Sequence, residues 1–182
     1  YLPMADWFNH RLGGRAVVEV SMASTTQLMD VRTRRWAAPV FDAFGLDPGR
    51  WPPIVPAGTR IGTAGAAGAP DVAVIASCSH DTGAAVAAAP ATGGSWAYVS
   101  SGTWSLLGVE RSEPLLTPAA REAGFTHEAG LDGTIRFLRN VSGLWVLSEA
   151  MRIWGDAELS SLLAEAADAP PCGAPGRPAC PM

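Results

Sequence analysis

Residues 71–90 read DVAVIASCSHDTGAAVAAAP. The first eight, Asp71 to Cys78, form a continuous apolar, β-branched run, as expected of a strand buried on both faces. Ser79-His80-Asp81-Thr82-Gly83 then interrupts it with polar groups, and AAVAAA up to Pro90 reads as a short apolar helix. Strand, polar corner and helix in that order make the sheet edge where open α/β folds place their chemistry. Asp81 falls in the first turn of the helix, where the dipole favours its ionised form. It serves there either as a helix cap or as the acceptor of a proton from a substrate hydroxyl. Phosphoryl transfer asks the protein for little beyond that orientation and charge stabilisation at the phosphate. His80 either donates a hydrogen bond to a substrate hydroxyl or packs beside Asp81.

Downstream, Ala91 to Ser95 reads as a linker, and WAYVSSGTWSLLGVE (96–110) as two strands around the turn Ser100-Ser101-Gly102-Thr103. That turn is either an ordinary hairpin or a cradle of N–H and hydroxyl groups for phosphate oxygens. Asp132-Gly133 signals a second hairpin, between Gly130-Leu131 and Thr134-Ile135. Asn140 or Ser142 is expected to cap a helix running to Trp154, with Leu144, Leu147, Met151 and Trp154 on one face and Gly155 after it. Core packing is the default expectation for Trp96, Trp104, Trp145 and Trp154. Beyond Ala166 the sequence ADAPPCGAPGRPACPM has no periodicity and reads as irregular.

Upstream, Met4, Trp7, Phe8 and Leu12 recur at helical spacing until Gly13-Gly14 stops the helix. Val17 to Val20 reads as a short strand, and Ser24-Thr25-Thr26 as a cap or polar turn. Trp36 to Phe44 reads as a helix ended by Gly45. Residues 47–70, rich in proline and glycine, read as irregular with one short strand near Thr59 to Ile61.

Composition removes several function classes. The 182 residues carry a net charge of −4, and all 13 basic residues are arginines scattered along the chain. No basic stripe is present to neutralise a nucleic-acid backbone. Without lysine, no Schiff-base or Walker-type chemistry can be run from this chain. No run approaches the roughly 20 apolar residues that span a bilayer. Of the 48% apolar residues, 32 are alanine, yet 7 Trp and 5 Phe still supply core material. Cys78, Cys172 and Cys180 make neither a metal-ligand spacing nor an even disulfide framework, with Cys78 read as a small core residue. His10 and His127 read as surface or structural, and no His-Cys-carboxylate cluster suggests zinc. There is no G-x-S-x-G elbow. No signal-peptide pattern opens the chain, so the expectation is a cytoplasmic protein. Its first residue, Tyr1, suggests a part of a longer one.

Taken together, SMASTTQLMDVRTRRW, SHDTGAAVAAAP, AYVSSGTWSLLGVE and FLRNVSGLWVLSEAMRIWG resemble, in order and spacing, the rhamnulokinase branch of the FGGY carbohydrate kinases. The resemblance runs from about residue 4 to 165. It implies an α/β fold of the actin-like (ribonuclease-H-like) ATPase type, present in part and spanning the junction of the two FGGY domains. Residues 1–90 would be the C-terminal part of the sugar-binding N-terminal domain, 91–95 the linker, 96–169 the start of the nucleotide-binding C-terminal domain, and 170–182 an irregular tail.

The resemblance also implies ATP-dependent phosphorylation of L-rhamnulose at its 1-hydroxyl, with Asp81 as proton acceptor. His80, Asp81, Thr82 and Asn140 would contact the sugar, and Gly102 and Thr103 the ATP phosphates. It implies Mg²⁺ as well, with no ligand assignable, and a small-molecule sugar plus ATP as partners, with no nucleic acid or membrane. Three departures stand out. The family's ATP-contacting glutamine is replaced by the shorter Ser148, its Asp-x-Gly phosphate motif and glycine-rich adenosine motif are absent, and the tail leaves the pattern. Two alternatives follow, a non-catalytic kinase remnant or an FGGY kinase for another ketose such as L-fuculose.

Overall fold

The computed structural model describes residues 1–65, 71–155 and 158–170. Cys172, Cys180 and the tail from residue 171 lie outside the described residues. Helix α1 (Met4–Arg11) forms where expected, but its buried residue is Asp6. Met4, Trp7, Phe8 and Leu12 are exposed. The polar face turns inward because the Asp6 carboxylate accepts the Glu19 backbone N–H, at 3.2 and 3.3 Å to its two oxygens.

The expected strand at 17–20 is only two residues long, β1 (Val18–Glu19), and helix α2 (Val20–Thr25) follows at once. The helix starts early because the Glu19 side chain caps it, accepting from the backbone N–H groups of Ser21 and Met22. The Ser24, Thr25 and Thr26 hydroxyls donate back to carbonyls three residues earlier and mark its end. Strands β2 (Met29–Asp30) and β3 (Arg35–Trp36) form a small antiparallel ribbon, so Trp36 is a strand residue and α3 (Ala38–Phe44) begins after it. Gly45 ends α3 in the left-handed region, as the sequence predicts. Trp36, Phe41 and Trp51 pack edge-to-face and tilted, with centroids 5.2–6.0 Å apart.

Within the proline- and glycine-rich segment, β4 (Ile54–Val55) pairs parallel to β1, and β5 (Arg60–Ala64) pairs antiparallel to β6 (Val72–Ile75). Here the expectation for residues 71–78 fails in part. Val74 and Ala76 are buried with Val17, Val55 and Ile61, but Val72 and Ile75 face outward. Among the described residues β6 has one strand partner, so only its inner face finds cover. Helix α4 (Asp81–Ala87) follows after the polar corner.

Residues 91–97 connect irregularly to an antiparallel sheet of four strands, β7 (Tyr98–Ser101), β8 (Trp104–Arg111), β9 (Thr126–Ala129) and β10 (Ile135–Ser142), in the order β7-β8-β10-β9. Helix α5 (Pro118–Glu122), capped by the Thr117 hydroxyl, leads into β9. The second hairpin forms at Asp132-Gly133, both at positive φ.

Strand β10 overrides the expected cap at Asn140 or Ser142. Both residues pair with β8, opposite Leu106 and Trp104. Helix α6 (Trp145–Trp154) starts without a side-chain cap and ends at Gly155, which has φ 76°. Trp104, Trp145 and Trp154 are exposed, against the core expectation. Helix α7 (Leu159–Asp168), which carries no strong start signal, extends past Ala166 into the stretch expected to be irregular.

A second core cluster, Val18, Val20, Ala23 and Met29 with Ala129, joins β1 and α2 to the four-stranded sheet. The Ser24 hydroxyl accepts the Ala129 backbone N–H at 2.9 Å across the same junction. No helix among the described residues is long and apolar enough to cross a membrane.

Candidate active site

A single carboxylate oxygen builds the corner after β6. Oε2 of the buried Glu19 accepts from the Ser21 N–H (3.0 Å) and hydroxyl, and from the Ser79 N–H (3.1 Å) and hydroxyl (3.2 Å). The Ser21 hydroxyl in turn accepts the His80 backbone N–H at 3.1 Å. The backbone of Ser79 and His80 is thereby fixed by residues 59 and 60 positions earlier. Glu19 and Ser21 escaped sequence reasoning, although a lone acid inside Val17-Val18-Glu19-Val20 was a signal that a buried charge had partners waiting.

From this anchored corner Asp81 projects outward, with its side chain 95% exposed. Its Oδ1 accepts the Thr82 N–H at 2.6 Å and faces His80 Nε2 at 3.6 Å. Asp81 is thus held on one side and open on the other, the arrangement a proton acceptor needs. His80 and Thr82 flank it half-buried, so the structure brings these three predicted residues together.

Behind His80 lies a charged group that the sequence reading missed. Arg136 is 0% exposed, and its Nη2 contacts His80 Nδ1 at 2.8 Å and Glu128 Oε2 at 2.5 Å. Glu128 Oε2 also lies 3.2 Å from His80 Nδ1. Burial pushes the Glu128 carboxyl upward, but the His80 contact and the Arg136 charge outweigh it and hold the group below its ordinary range. Arg136 Nε and Nη1 and the Tyr98 hydroxyl are buried without a hydrogen-bond partner among the described residues. Burial drives the Tyr98 phenol upward. Gly83 makes room for the guanidinium: a Cβ there would stand 3.3 Å from Arg136 Nη2. The signal for Arg136 was again a charge inside an apolar run, Ile135-Arg136-Phe137-Leu138.

Of the expected turn, Ser100 and Ser101 belong to β7, paired with Leu106 and Ser105, so Gly102-Thr103 alone connects β7 to β8, and α4 packs on β7. The Gly102 carbonyl accepts the Leu144 N–H at 2.9 Å and the Thr103 carbonyl the Trp145 N–H at 3.2 Å, which seats the turn on the start of α6. Gly143 is needed there, because a Cβ would sit 2.7 Å from the Trp104 carbonyl carbon. Thr103 is exposed and Gly102 half-buried. Asn140 is exposed on β10, and strand alternation puts it on the sheet face that carries Arg136. Ser148 stands apart from the rest, its hydroxyl donating to the Leu144 carbonyl of its own helix at 3.2 Å. No group of three or more His, Cys, Asp or Glu among the described residues could hold a metal ion.

This corner-and-turn geometry sits in a chain that two family models match. Residues 1–88 match the N-terminal domain, and residues 97–178 the C-terminal domain, of the FGGY family of carbohydrate kinases. The chain belongs to that family. A rhamnulokinase of Bacteroides thetaiotaomicron is 40% identical over 168 residues, covering 90% of this chain and 35% of that protein. The rhamnulokinase of Enterococcus faecalis is 38% identical over 156 residues, covering 83% of this chain and 32% of that protein. The crystal structure of a xyloylose kinase from Brucella ovis superposes with a TM-score of 0.76 at 23% identity, over 94% of this chain and 36% of that one. The fold is the actin-like α/β ATPase type of these sugar kinases. The chain spans about a third of the length of the curated relatives it matches.

Proposed function

We propose that this chain carries the proton acceptor and one phosphate-binding turn of an ATP-dependent ketose kinase, with L-rhamnulose as its substrate. The observation that carries the reading is Asp81: a carboxylate fixed on one side by Thr82 and open on the other, on a corner held rigid by Glu19. In this reading Asp81 accepts the proton of the sugar 1-hydroxyl as its oxygen attacks the γ-phosphate of ATP. His80, Thr82 and Asn140 hold the sugar, and Gly102 and Thr103 meet the phosphates. Ser148 contributes little to ATP, being short and bonded to its own helix.

A nucleotide's Mg²⁺ is held largely by its phosphates with one or two carboxylates. Residues 1–90 would form a sugar-binding part and 96–169 the start of a nucleotide-binding part, joined at 91–95, in a cytoplasmic enzyme.

The test is Asp81→Asn in the intact protein. Phosphorylation of L-rhamnulose should fall to background while calorimetry still detects sugar binding. Turnover near the wild-type rate would remove Asp81 from the role of base. Rates across a panel of ketoses that includes L-fuculose test the choice of sugar.

A further inference from the structure

The charged group behind His80 settles what that ring can offer. A guanidinium has only donors, so a ring nitrogen 2.8 Å from Arg136 Nη2 must present its lone pair. With Nδ1 accepting, the single proton of a neutral imidazole resides on Nε2, a tautomer assigned here from the donors around the ring. Nε2 is the nitrogen that faces Asp81, 3.6 Å from Oδ1. Glu128 competes for the opposite form, since its Oε2 lies 3.2 Å from the same Nδ1 and would accept a proton there. Arg136 prevails on geometry. Its contact is the shorter, and a proton on Nδ1 would confront the arginine's own N–H. Glu128 Oε2 is already engaged by that same Nη2, so the glutamate neutralises and anchors the arginine. The pair sits in register: Arg136 on β10 is flanked by Glu110 of β8 and Glu128 of β9, and the Glu110 carboxylate accepts the Thr134 hydroxyl at 2.9 Å.

We infer that Arg136, anchored by Glu128, is a positioning residue that fixes His80 as the neutral Nε2–H tautomer and so presents an N–H donor beside Asp81 for an oxygen of the sugar substrate. The inference rests on the reading of this corner as the sugar site. It links the sheet matched by the C-terminal family domain to the corner matched by the N-terminal one. With the other tautomer, a lone pair on Nε2 would face the Asp81 carboxylate and could donate nothing.

The test uses the intact protein labelled with ¹⁵N-histidine, with the His80 signals assigned by their loss in His80→Gln. At neutral pH the ring nitrogens should report a bare Nδ1 and a protonated Nε2. Arg136→Met combined with Glu128→Gln removes both charges together, so that no unpaired carboxylate stays buried. It should admit the Nδ1–H form and raise the KM for the ketose roughly tenfold, the worth of one hydrogen bond, leaving the KM for ATP unchanged. Arg136→Lys keeps a pure donor and should keep the wild-type tautomer and most of the ketose KM. A wild-type ring protonated on Nδ1, or a double variant with an unaltered tautomer, would overturn the inference. If the double variant does not fold, the wild-type spectrum alone decides. Absence of ketose phosphorylation by the wild type would overturn the kinase reading instead, and the spectrum would still report the tautomer.

Discussion

Asp6 and Glu19 are two buried acids close enough to act on each other, and they resolve the conflict differently. Glu19 gathers five donors on one oxygen, from Ser21, Met22 and Ser79, whereas Asp6 has little beyond the Glu19 backbone N–H. Burial raises the Asp6 carboxyl from its ordinary 3.8 to about 6, the Glu19 charge adds to the rise, and the backbone N–H opposes it. The native state therefore holds the Asp6 proton more tightly than the unfolded chain does. Stability from this group falls as pH climbs from about 4 to about 6 and stays low above that. Asp6→Asn, which keeps an acceptor for the N–H and removes the charge, should match the wild type near pH 4 and exceed it at pH 7. Urea-unfolding midpoints across that range check this, and a difference that does not vary with pH would rule it out. At such positions the sequence offered a partial view. The place of His80 and Asp81, at a polar corner between a strand and a helix, was legible because an apolar run precedes them and an alanine-rich one follows. Glu19, Ser21, Glu128 and Arg136 were not, because their partners come from segments far away in the chain.

Among the elements, local signals found most of what is present and misjudged what covers it. The hairpin at Asp132-Gly133, the stop at Gly45 and the turn at Gly102-Thr103, two residues shorter than expected, follow from glycine and turn chemistry alone. The cap expected at Asn140 or Ser142 lost to eight paired residues of β10 against β8. A strand ladder of that length outweighs one side-chain cap worth about 1 kcal/mol. Leu138, at the centre of β10 and fully buried, is the sheet's packing anchor. Leu138→Ala should cost about 2–5 kcal/mol in chemical denaturation. Gly143→Ala should act more narrowly, pushing the Gly102-Thr103 turn off the start of α6. In the kinase reading it should raise the KM for ATP and leave that for the sugar near its original value, and steady-state kinetics with each substrate varied distinguishes the two. An equal rise in both would show that the turn does not act at the nucleotide.

Across the whole chain, the half matched by the N-terminal family domain and the half matched by the C-terminal one share a core through Ala129, and one hydrogen bond from its N–H to Ser24. Ser24→Ala leaves that buried N–H without its partner and should lower stability by about 1–3 kcal/mol, read from thermal or urea unfolding. The outer surfaces are less finished. Val99, Trp104 and Leu107 on the sheet, and Trp145, Val146, Ile153 and Trp154 on α6, are each exposed. A chain of 182 residues with that much open apolar surface should bind a hydrophobic dye and associate as its concentration rises, which light scattering would detect. Periodicity located these apolar residues but could not say which would find a neighbour, since burial depends on what packs from elsewhere. The Glu19 carboxylate has one more consequence. The amides of Ser21 and Ser79 share it as acceptor, and that of His80 hangs from the Ser21 hydroxyl it orders. Fraying of the first turn of α2 and release of the corner before Asp81 are then one opening event. In hydrogen–deuterium exchange these three amides should exchange with a common protection factor, although sixty residues separate them in the chain.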